Sequence, residues 1–166
     1  QPLNSKKDKM TNIEIANAIN SAVIAGDVET ASSLVTENYI QHTPAIPNGR
    51  KGLEGFVTKI KKKEILAPKI TNVRAFTYRE FVHQDHDVMW PDGKAMFEIF
   101  RMENGLAAEH WSGIMNHPGK TVNGHTMVDG TVEITDKANT EKNMAFVKSF
   151  VETVFIKGQF DKILHY

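Results

Sequence analysis

The sequence contains no cysteine among its 166 residues. A disulfide framework, a thiol nucleophile and a cysteine-ligated metal site are therefore excluded. A net charge is also lacking, because 20 basic residues balance 20 acidic residues. Without a net field that attracts anions, we expect neither nucleic acid nor a membrane surface as a partner.

Long apolar runs are absent as well. No stretch approaches the roughly 18 apolar residues that a membrane-spanning helix requires, so we expect a soluble chain. The sequence begins with Gln1-Pro2 rather than methionine. We therefore expect that upstream residues were removed, which fits either an exported or a cytoplasmic protein. Residues 1–10 are mostly polar and predict a disordered leader.

In the first part of the sequence, apolar residues recur at helical spacing. The pattern predicts a helix that begins near Thr11 and ends at Gly26. A second, short helix follows Asp27, and a third is predicted over residues 52–66, before Pro68. The apolar positions of the second helix are Val28, Ala31, Leu34 and Val35.

After Pro68 the pattern changes to short β-type runs. Strands are predicted over residues 70–78, 81–90, 95–102 and 106–115, with hairpin turns at residues 91–93 and 103–105. Helices followed by a meander of strands indicate an α+β domain, in which the helices pack on an antiparallel sheet.

Residues 116–138 form a long connection that reads as a linker between residues 11–115 and residues 139–166. The final segment resembles the start of the first one: Gly158 aligns with Gly26, and Val147 with Ile15. This similarity predicts an incomplete internal repeat. A half-repeat cannot bury its own apolar face, so we expect it to dock on the first domain's sheet, on a second molecule, or on sequence outside this chain. The residues expected to dock are Phe146, Phe150, Val154 and Phe155.

Two separated motifs resemble one protein family. NYIQHTPAIPNGRKGLEGF, residues 38–56, resembles the Y-I-Q-H-N-P…G motif of SnoaL-like polyketide cyclases, and EIFRMENGLAAEHW, residues 98–111, resembles their D-I-F-R-x-x-x-G-K-I-x-E-H-W. The resemblance covers residues 11–115 and implies the nuclear transport factor 2-like superfamily. Its members are cones of curved antiparallel sheet, wrapped by N-terminal helices around a pocket; here a C-terminal helical extension follows. Some members carry a doubled domain with a linker like NGHTMVDG, residues 123–130.

Glu98 is the first candidate catalytic residue. On a strand it shares a face with Met96 and Phe100, and such apolar surroundings raise the pKa of a carboxyl group. By the resemblance, Glu98 takes the place of the neutral aspartate of ketosteroid isomerase, so it would donate a hydrogen bond to an enolate oxygen. The alternative is an ordinary ion pair with Arg101 or a lysine, or an exposed position.

His42 is the second candidate, because the resemblance places it near the base of related isomerases. An imidazole there could move a carbon-bound proton. Alternatively, its ring bonds a backbone carbonyl and fixes the loop.

His110 is the third candidate, and its relation to Glu98 depends on the hairpin turn. A two-residue loop at residues 104–105 puts Glu98 opposite Trp111, whereas a three-residue loop puts it opposite His110. Glu109 shares the face of Trp111 and is the reserve candidate, although a glutamate more commonly lies on an outer face.

Ser112 stands where many family members have an aspartate, and a serine cannot take up a proton at neutral pH. Proton transfer would therefore fall to Glu98 or His42. The expected pocket-lining residues are Tyr39, Trp90, Phe100, Trp111 and Ser112, with tyrosine and tryptophan rings holding a ring-shaped ligand. Alternatively, both tryptophans lie in the core.

The run HQDHD, residues 83–87, is rich in potential metal ligands. However, histidines three residues apart on a strand face opposite ways, so we expect a polar turn between strands rather than a metal site. No metal and no cofactor are predicted.

Together, these patterns predict cofactor-free acid–base catalysis on a small, apolar carbonyl compound, by aldol cyclisation or enolisation. One alternative is a non-catalytic module that binds a small hydrophobic molecule in the same cavity. A third interpretation makes the cavity a relic of the fold and the sheet face a homodimer interface, with the C-terminal helix as a clasp.

Overall fold

The computed structural model describes residues 10–166, so residues 1–9 of the predicted leader lie outside the described residues. The chain divides after Gly130 into two compact units. Within residues 10–166, no helix combines the length and the apolar character needed to cross a bilayer.

Helix α1 spans Asn12–Ala25 and has the ends that the sequence predicts. Thr11 forms a capping box with Glu14: its hydroxyl accepts from the Glu14 backbone N–H, and its own N–H donates to the Glu14 carboxylate at 2.6 Å. The helix ends at Gly26, whose φ of 69° lies in the left-handed region that favours glycine. These local signals confirm the predicted first helix.

The second predicted helix is shorter than expected. Helix α2 spans only Val28–Ser33, and strand β1, Val35–Gln41, follows it after a single residue. Assigning Leu34 and Val35 to the helix was therefore wrong. Val35 instead pairs in parallel with Ala107, and this long-range pairing overrides the local helical spacing.

Helix α3 spans Gly49–Lys61 and ends five residues before the predicted residue 66. Lys63 adopts a φ of 59°, a left-handed conformation that cannot continue the helix. Near its start, Gly52 packs directly on the backbone of Pro47, where a Cβ atom would lie 1.8 Å from the carbonyl oxygen. This contact holds the loop between β1 and α3 against the helix.

The sheet has five strands in the order β1-β5-β4-β3-β2. Strands β2 to β5 form the predicted antiparallel meander, and β1 joins its edge in parallel to β5. Their bounds are Lys69–Tyr78, Phe81–Met89, Gly93–Glu103 and Leu106–Asn116. The predicted α+β architecture, helices packed on a curved sheet, is confirmed.

The core lies between α1 and the inner face of the sheet. Ile15, Ile19 and Ala22 of α1 pack with Phe100 of β4 and Val82 of β3 in one buried cluster. Full burial of each large apolar side chain contributes about 1.5–3 kcal/mol. The helix thus covers one end of the inner face with apolar contacts.

The β4–β5 hairpin contains a bulge that neither predicted register includes. Glu103 pairs with Leu106 around a two-residue turn, but Arg101 pairs with Glu109 and Met102 with Ala107. One extra residue, Ala108, is therefore accommodated on β5. As a result, Glu98 pairs with Ser112, so both predicted partners, Trp111 and His110, were wrong.

The second unit begins at Thr131 and consists of short helical segments. Helix α4, Thr140–Phe150, continues into a π-helical turn over Val151–Ile156, and a 3-10 helix spans Phe160–His165. The Phe150 ring contacts those of Phe155 and Tyr166 at centroid distances of 5.4 and 5.3 Å. The interpretation of this unit as an incomplete repeat stays a prediction.

Candidate acid–base site

A cavity of about 420 Å³ lies between the inner face of the sheet, the first helix and the loop after β1. Its size is within the range of pockets that bind small molecules. Most of the wall is apolar. The apolar lining residues include Ile19, Val23, Leu53, Phe56, Ile70, Val88, Trp90, Met96, Phe100 and Ile114.

The polar groups of the lining are a few side chains on α1, β1, β4, β5 and the loop after β1. They are Asn20, Tyr39, Gln41, Thr43, Glu98, His110 and Ser112. Among residues 10–166, the lining contains no lysine and no arginine. The cavity is therefore a mainly apolar space in which Glu98 and His110 are the side chains suited to proton transfer.

Glu98 is buried at the centre of the polar cluster and has three side-chain partners. Its Oε1 lies 3.2 Å from His110 Nε2, and its Oε2 lies 2.9 Å from His86 Nε2. Asn20 of α1 donates from Nδ2 to Oε2 at 2.7 Å. Neighbouring strands thus supply one imidazole on each side of the carboxylate.

Strand geometry explains why these side chains meet. Glu98 pairs with Gln84 on β3 and with Ser112 on β5. His86 and His110 lie two residues away from those partners, so they occupy the same face as diagonal neighbours, within reach of a long side chain. The bulge at Ala108 sets this alignment on the β5 side.

The pKa of Glu98 is lowered, whereas the sequence predicts that it is raised. Burial raises it, but hydrogen bonds from His110 and His86, together with their charge, outweigh burial and lower the pKa to about 2. The predicted protonated Glu98 was therefore wrong: the group is a carboxylate at neutral pH. Although Met96 and Phe100 do share its face, the two imidazoles dominate.

Hydrogen bonding determines where His110 carries its protons. The amide oxygen of Gln41 accepts from the backbone N–H of Thr43 at 2.9 Å and lies 2.9 Å from His110 Nδ1. Since an amide oxygen only accepts, Nδ1 must carry a hydrogen. Nε2 faces Glu98 Oε1, so the contact between the imidazole and the carboxylate holds a further proton.

His86 completes the cluster from behind the cavity wall. It is 1% exposed, and its Nδ1 has no hydrogen-bond partner among the described residues. Nε2, in contrast, lies 2.9 Å from Glu98 Oε2, so Nε2 is the nitrogen that donates to the carboxylate.

The sequence-based interpretation missed His86 because it assigned residues 83–87 to a polar turn, which was wrong. The run lies within β3, with His86 on the inner face and His83 and Asp85 on the outer one. The alternation of Val82, Gln84, His86 and Val88 would have shown it. In the part of the chain that the structure describes, no group of three or more histidines and acids is arranged to hold a metal ion.

His42 and Trp111 lie outside the cavity, contrary to prediction. Their rings stack on the outer face at a centroid distance of 4.9 Å, and His42 Nε2 lies 2.8 Å from Glu109 Oε1. The cause is strand alternation: Gln41 and His110 point inward, so the residues that follow them point outward. Placing His42 and Trp111 in the pocket was therefore wrong.

Glu109, the reserve candidate, lies on the outer face and is not among the cavity-lining residues. It binds Arg101, whose Nε donates to it at 2.9 Å, and bonds from His42 and Arg101 lower its pKa. Arg101 therefore pairs with Glu109 rather than with Glu98, the alternative that the sequence left open.

The other predicted lining residues, Tyr39, Trp90, Phe100 and Ser112, do face the cavity. Ser112 Oγ lies 2.7 Å from Thr43 Oγ1, so these hydroxyls bond each other. The Trp90 indole donates to the Leu66 carbonyl at 2.7 Å, which fixes its ring in the wall. Which of these residues act on a ligand stays a prediction.

No family model matches the sequence, and no curated protein matches it. Solved structures do match. An NTF2-like protein of unknown function from Cytophaga hutchinsonii superposes with a TM-score of 0.56 at 14% identity, over 66% of this chain and 94% of that one. A cystatin-fold protein from Novosphingobium aromaticivorans gives a TM-score of 0.54 at 16% identity, over 62% of this chain and 97% of that one.

A third match is a candidate polyketide cyclase from Bacillus cereus, with a TM-score of 0.51 at 18% identity over 63% of this chain and 78% of that one. At such identities the likeness concerns the fold. It agrees with the helices, the strand order and the cavity described above, and with the architecture that the two sequence motifs imply. The chain has the nuclear transport factor 2-like, cystatin-like fold.

Proposed function

We propose that this protein catalyses cofactor-free proton transfer at a carbon next to the carbonyl groups of a small, uncharged molecule bound in the cavity. The observation that carries the proposal is the ionised Glu98 paired with His110 inside an otherwise oily space. The motifs resembling SnoaL-like polyketide cyclases, and the fold shared with a candidate polyketide cyclase, support the same chemistry.

The pair can both accept and supply a proton. The Glu98 carboxylate takes the proton from carbon, which leaves an enolate. The enolate attacks a second carbonyl of the same molecule in an aldol cyclisation, and His110 gives its Nε2 proton to the new alkoxide. In simple enolisation, the same proton goes to the enolate instead. A proton then moves from Glu98 Oε1 to His110 Nε2 across their 3.2 Å contact and restores the pair.

The low pKa of Glu98 limits the kind of carbon acid. A carboxylate held well below its usual pKa is a weak base, and proton transfer is efficient only when donor and acceptor are matched. A carbon flanked by two carbonyl groups, as in a 3-oxo ester, is acidic enough. We therefore expect 1,3-dicarbonyl compounds rather than simple ketones as substrates.

The test is deuterium exchange at the activated carbon of a neutral, aryl-substituted 3-oxo ester in D₂O, followed by ¹H NMR. Exchange should exceed the buffer rate with the unmodified protein, and should fall to that rate in Glu98→Gln. His42→Ala, on the outer face, is the matched control and should exchange normally. Exchange that is no faster than buffer for any neutral dicarbonyl would refute catalysis.

A binding module is the second candidate, and one observation favours it. Each Glu98 oxygen already has protein donors, from His110 on one side and from His86 and Asn20 on the other. A carboxylate whose two oxygens are both occupied by protein donors would stabilise the cavity wall without acting on a ligand. Calorimetric binding of the ester that persists in Glu98→Gln, without exchange, would support this function. The predicted homodimer stays a prediction, and neither candidate depends on it.

A further inference from the structure

We infer that Tyr39 is a further catalytic residue, whose hydroxyl donates a hydrogen bond to the carbonyl oxygen of the bound molecule. The inference rests on the proposed function and supplies a part that it lacks. Because Glu98 is ionised, it cannot donate to the oxygen on which negative charge develops. Another cavity-lining donor must do so.

The position of Tyr39 suits this role. It lies on β1 with its side chain among the cavity-lining residues, and it is 2% exposed. A hydrogen bond offered there acts in a low-dielectric space, where it stabilises an oxyanion far more than it would in water.

The orientation of Gln41 leaves the Tyr39 hydrogen unused. Because the Gln41 Oε1 accepts from the Thr43 backbone N–H, the amide nitrogen must face the other way. That nitrogen donates to the Tyr39 hydroxyl oxygen at 3.2 Å. The oxygen is thus an acceptor in this contact, and among the described residues no group accepts its hydrogen.

Other donors in the polar cluster are already engaged. Asn20 donates to Glu98 and Gln84, and both ring nitrogens of His110 have partners. The hydroxyls of Thr43 and Ser112 bond each other, which leaves one hydrogen between them. Among the described residues, this hydroxyl pair is the competitor with an unused hydrogen. In the proposed reaction the Nε2 proton of His110 goes to the alkoxide formed at the second carbonyl.

Tyr39 also keeps its hydrogen over the whole useful pH range. Burial and the negative charge of Glu98 raise the pKa of its hydroxyl. The group therefore remains a donor wherever the protein is folded, and it lies in the same cavity as the carboxylate that removes the proton.

The first experiment measures exchange in Tyr39→Phe, which removes only the hydroxyl. The exchange rate of the bound 3-oxo ester should fall about 100-fold, the usual effect of losing one oxyanion donor, while its dissociation constant changes much less. Tyr78→Phe, at a tyrosine outside the cavity lining, should exchange normally. An unchanged rate in Tyr39→Phe, or a 100-fold loss in Ser112→Ala instead, would overturn the inference and leave the proposed function intact.

The second experiment needs no turnover. Benzophenone labelled with ¹³C at its carbonyl has no exchangeable carbon-bound hydrogen next to that group, so its infrared stretch reports hydrogen bonding directly. The stretch should move to lower frequency on binding and return in Tyr39→Phe. A Tyr39-dependent shift without ester exchange would support the inference and refute catalysis. A bound ketone with no such shift, or no binding at all, would overturn the inference.

Discussion

Glu98 and His110 contact each other through Oε1 and Nε2 at 3.2 Å, although the cross-strand partner of Glu98 is Ser112. The contact is diagonal, and it exists because β5 accommodates Ala108 as an extra residue. An unbulged strand with the same turn would place Trp111 opposite Glu98. The charge pair at the centre of the cavity therefore depends on a backbone irregularity several residues away.

Replacing Glu98 with glutamine should destabilise the fold strongly. The change removes the charged partner of the buried His110 ring, and breaking a buried pair in this way costs about 3–5 kcal/mol. Urea denaturation at neutral pH measures the free energy of unfolding. Glu109→Gln, in the outer ion pair, is the control and should cost at most about 1 kcal/mol. Equal losses in both variants would contradict the buried pair.

The stability that Glu98 contributes should depend on acid pH. Its folded pKa, about 2, is lower than its usual 4.5. The contribution is therefore fully present above pH 4.5 and is lost as the pH falls towards 2. The difference in unfolding free energy between the unmodified protein and Glu98→Gln should narrow over this window. A gap that stays constant down to the acid limit would show that the carboxyl is not held ionised.

Gly52→Ala should be destabilising, although alanine is the better helix former. The new Cβ would lie 1.8 Å from the Pro47 carbonyl oxygen, so helix α3 and the loop that contributes Thr43 and Ile46 to the cavity must separate. We expect a loss of about 1–3 kcal/mol, as for other overpacked sites.

Gly55→Ala is the matched control, because a Cβ there meets open space. It should stabilise the protein by about 0.5–1 kcal/mol through helix propensity alone. Thermal unfolding of the two variants side by side tests this difference, and a stabilised Gly52→Ala would show that the loop does not pack on α3 as described.

His42→Ala should leave cavity chemistry unchanged and alter the outer face. The variant loses the ring stack on Trp111 and the 2.8 Å contact with Glu109. We expect a change in tryptophan fluorescence and a stability loss of at most about 1 kcal/mol. If His42→Ala instead abolished deuterium exchange, the site would lie on the outer face.

The sequence predicted those parts of the fold that local signals determine. Thr11 and Gly26 delimit α1 through caps that involve residues at most a few positions away. The turn around Asn104 and Gly105 likewise defines a hairpin by its own conformation, with φ values of 52° and 80°. Elements of this kind need no knowledge of the rest of the chain.

The missed features depend on contacts between distant residues. Strand β1 exists because Val35 pairs with Ala107. No local sequence signal predicts this pairing. The pKa of Glu98 follows the same logic: its own strand supplies apolar neighbours, whereas the imidazoles that decide its ionisation come from the strands on either side. Reading β3 by alternation would have found His86, but not its distance from Glu98.

Because the cavity wall contains no lysine or arginine among residues 10–166, it also selects ligands by their ionisation state. An organic acid would have to enter in its uncharged form, beside a carboxylate that repels its conjugate base. Its apparent affinity would then weaken about tenfold for each pH unit above its own pKa. Esters and lactones, which have no such ionisation, would enter equally well across the physiological range.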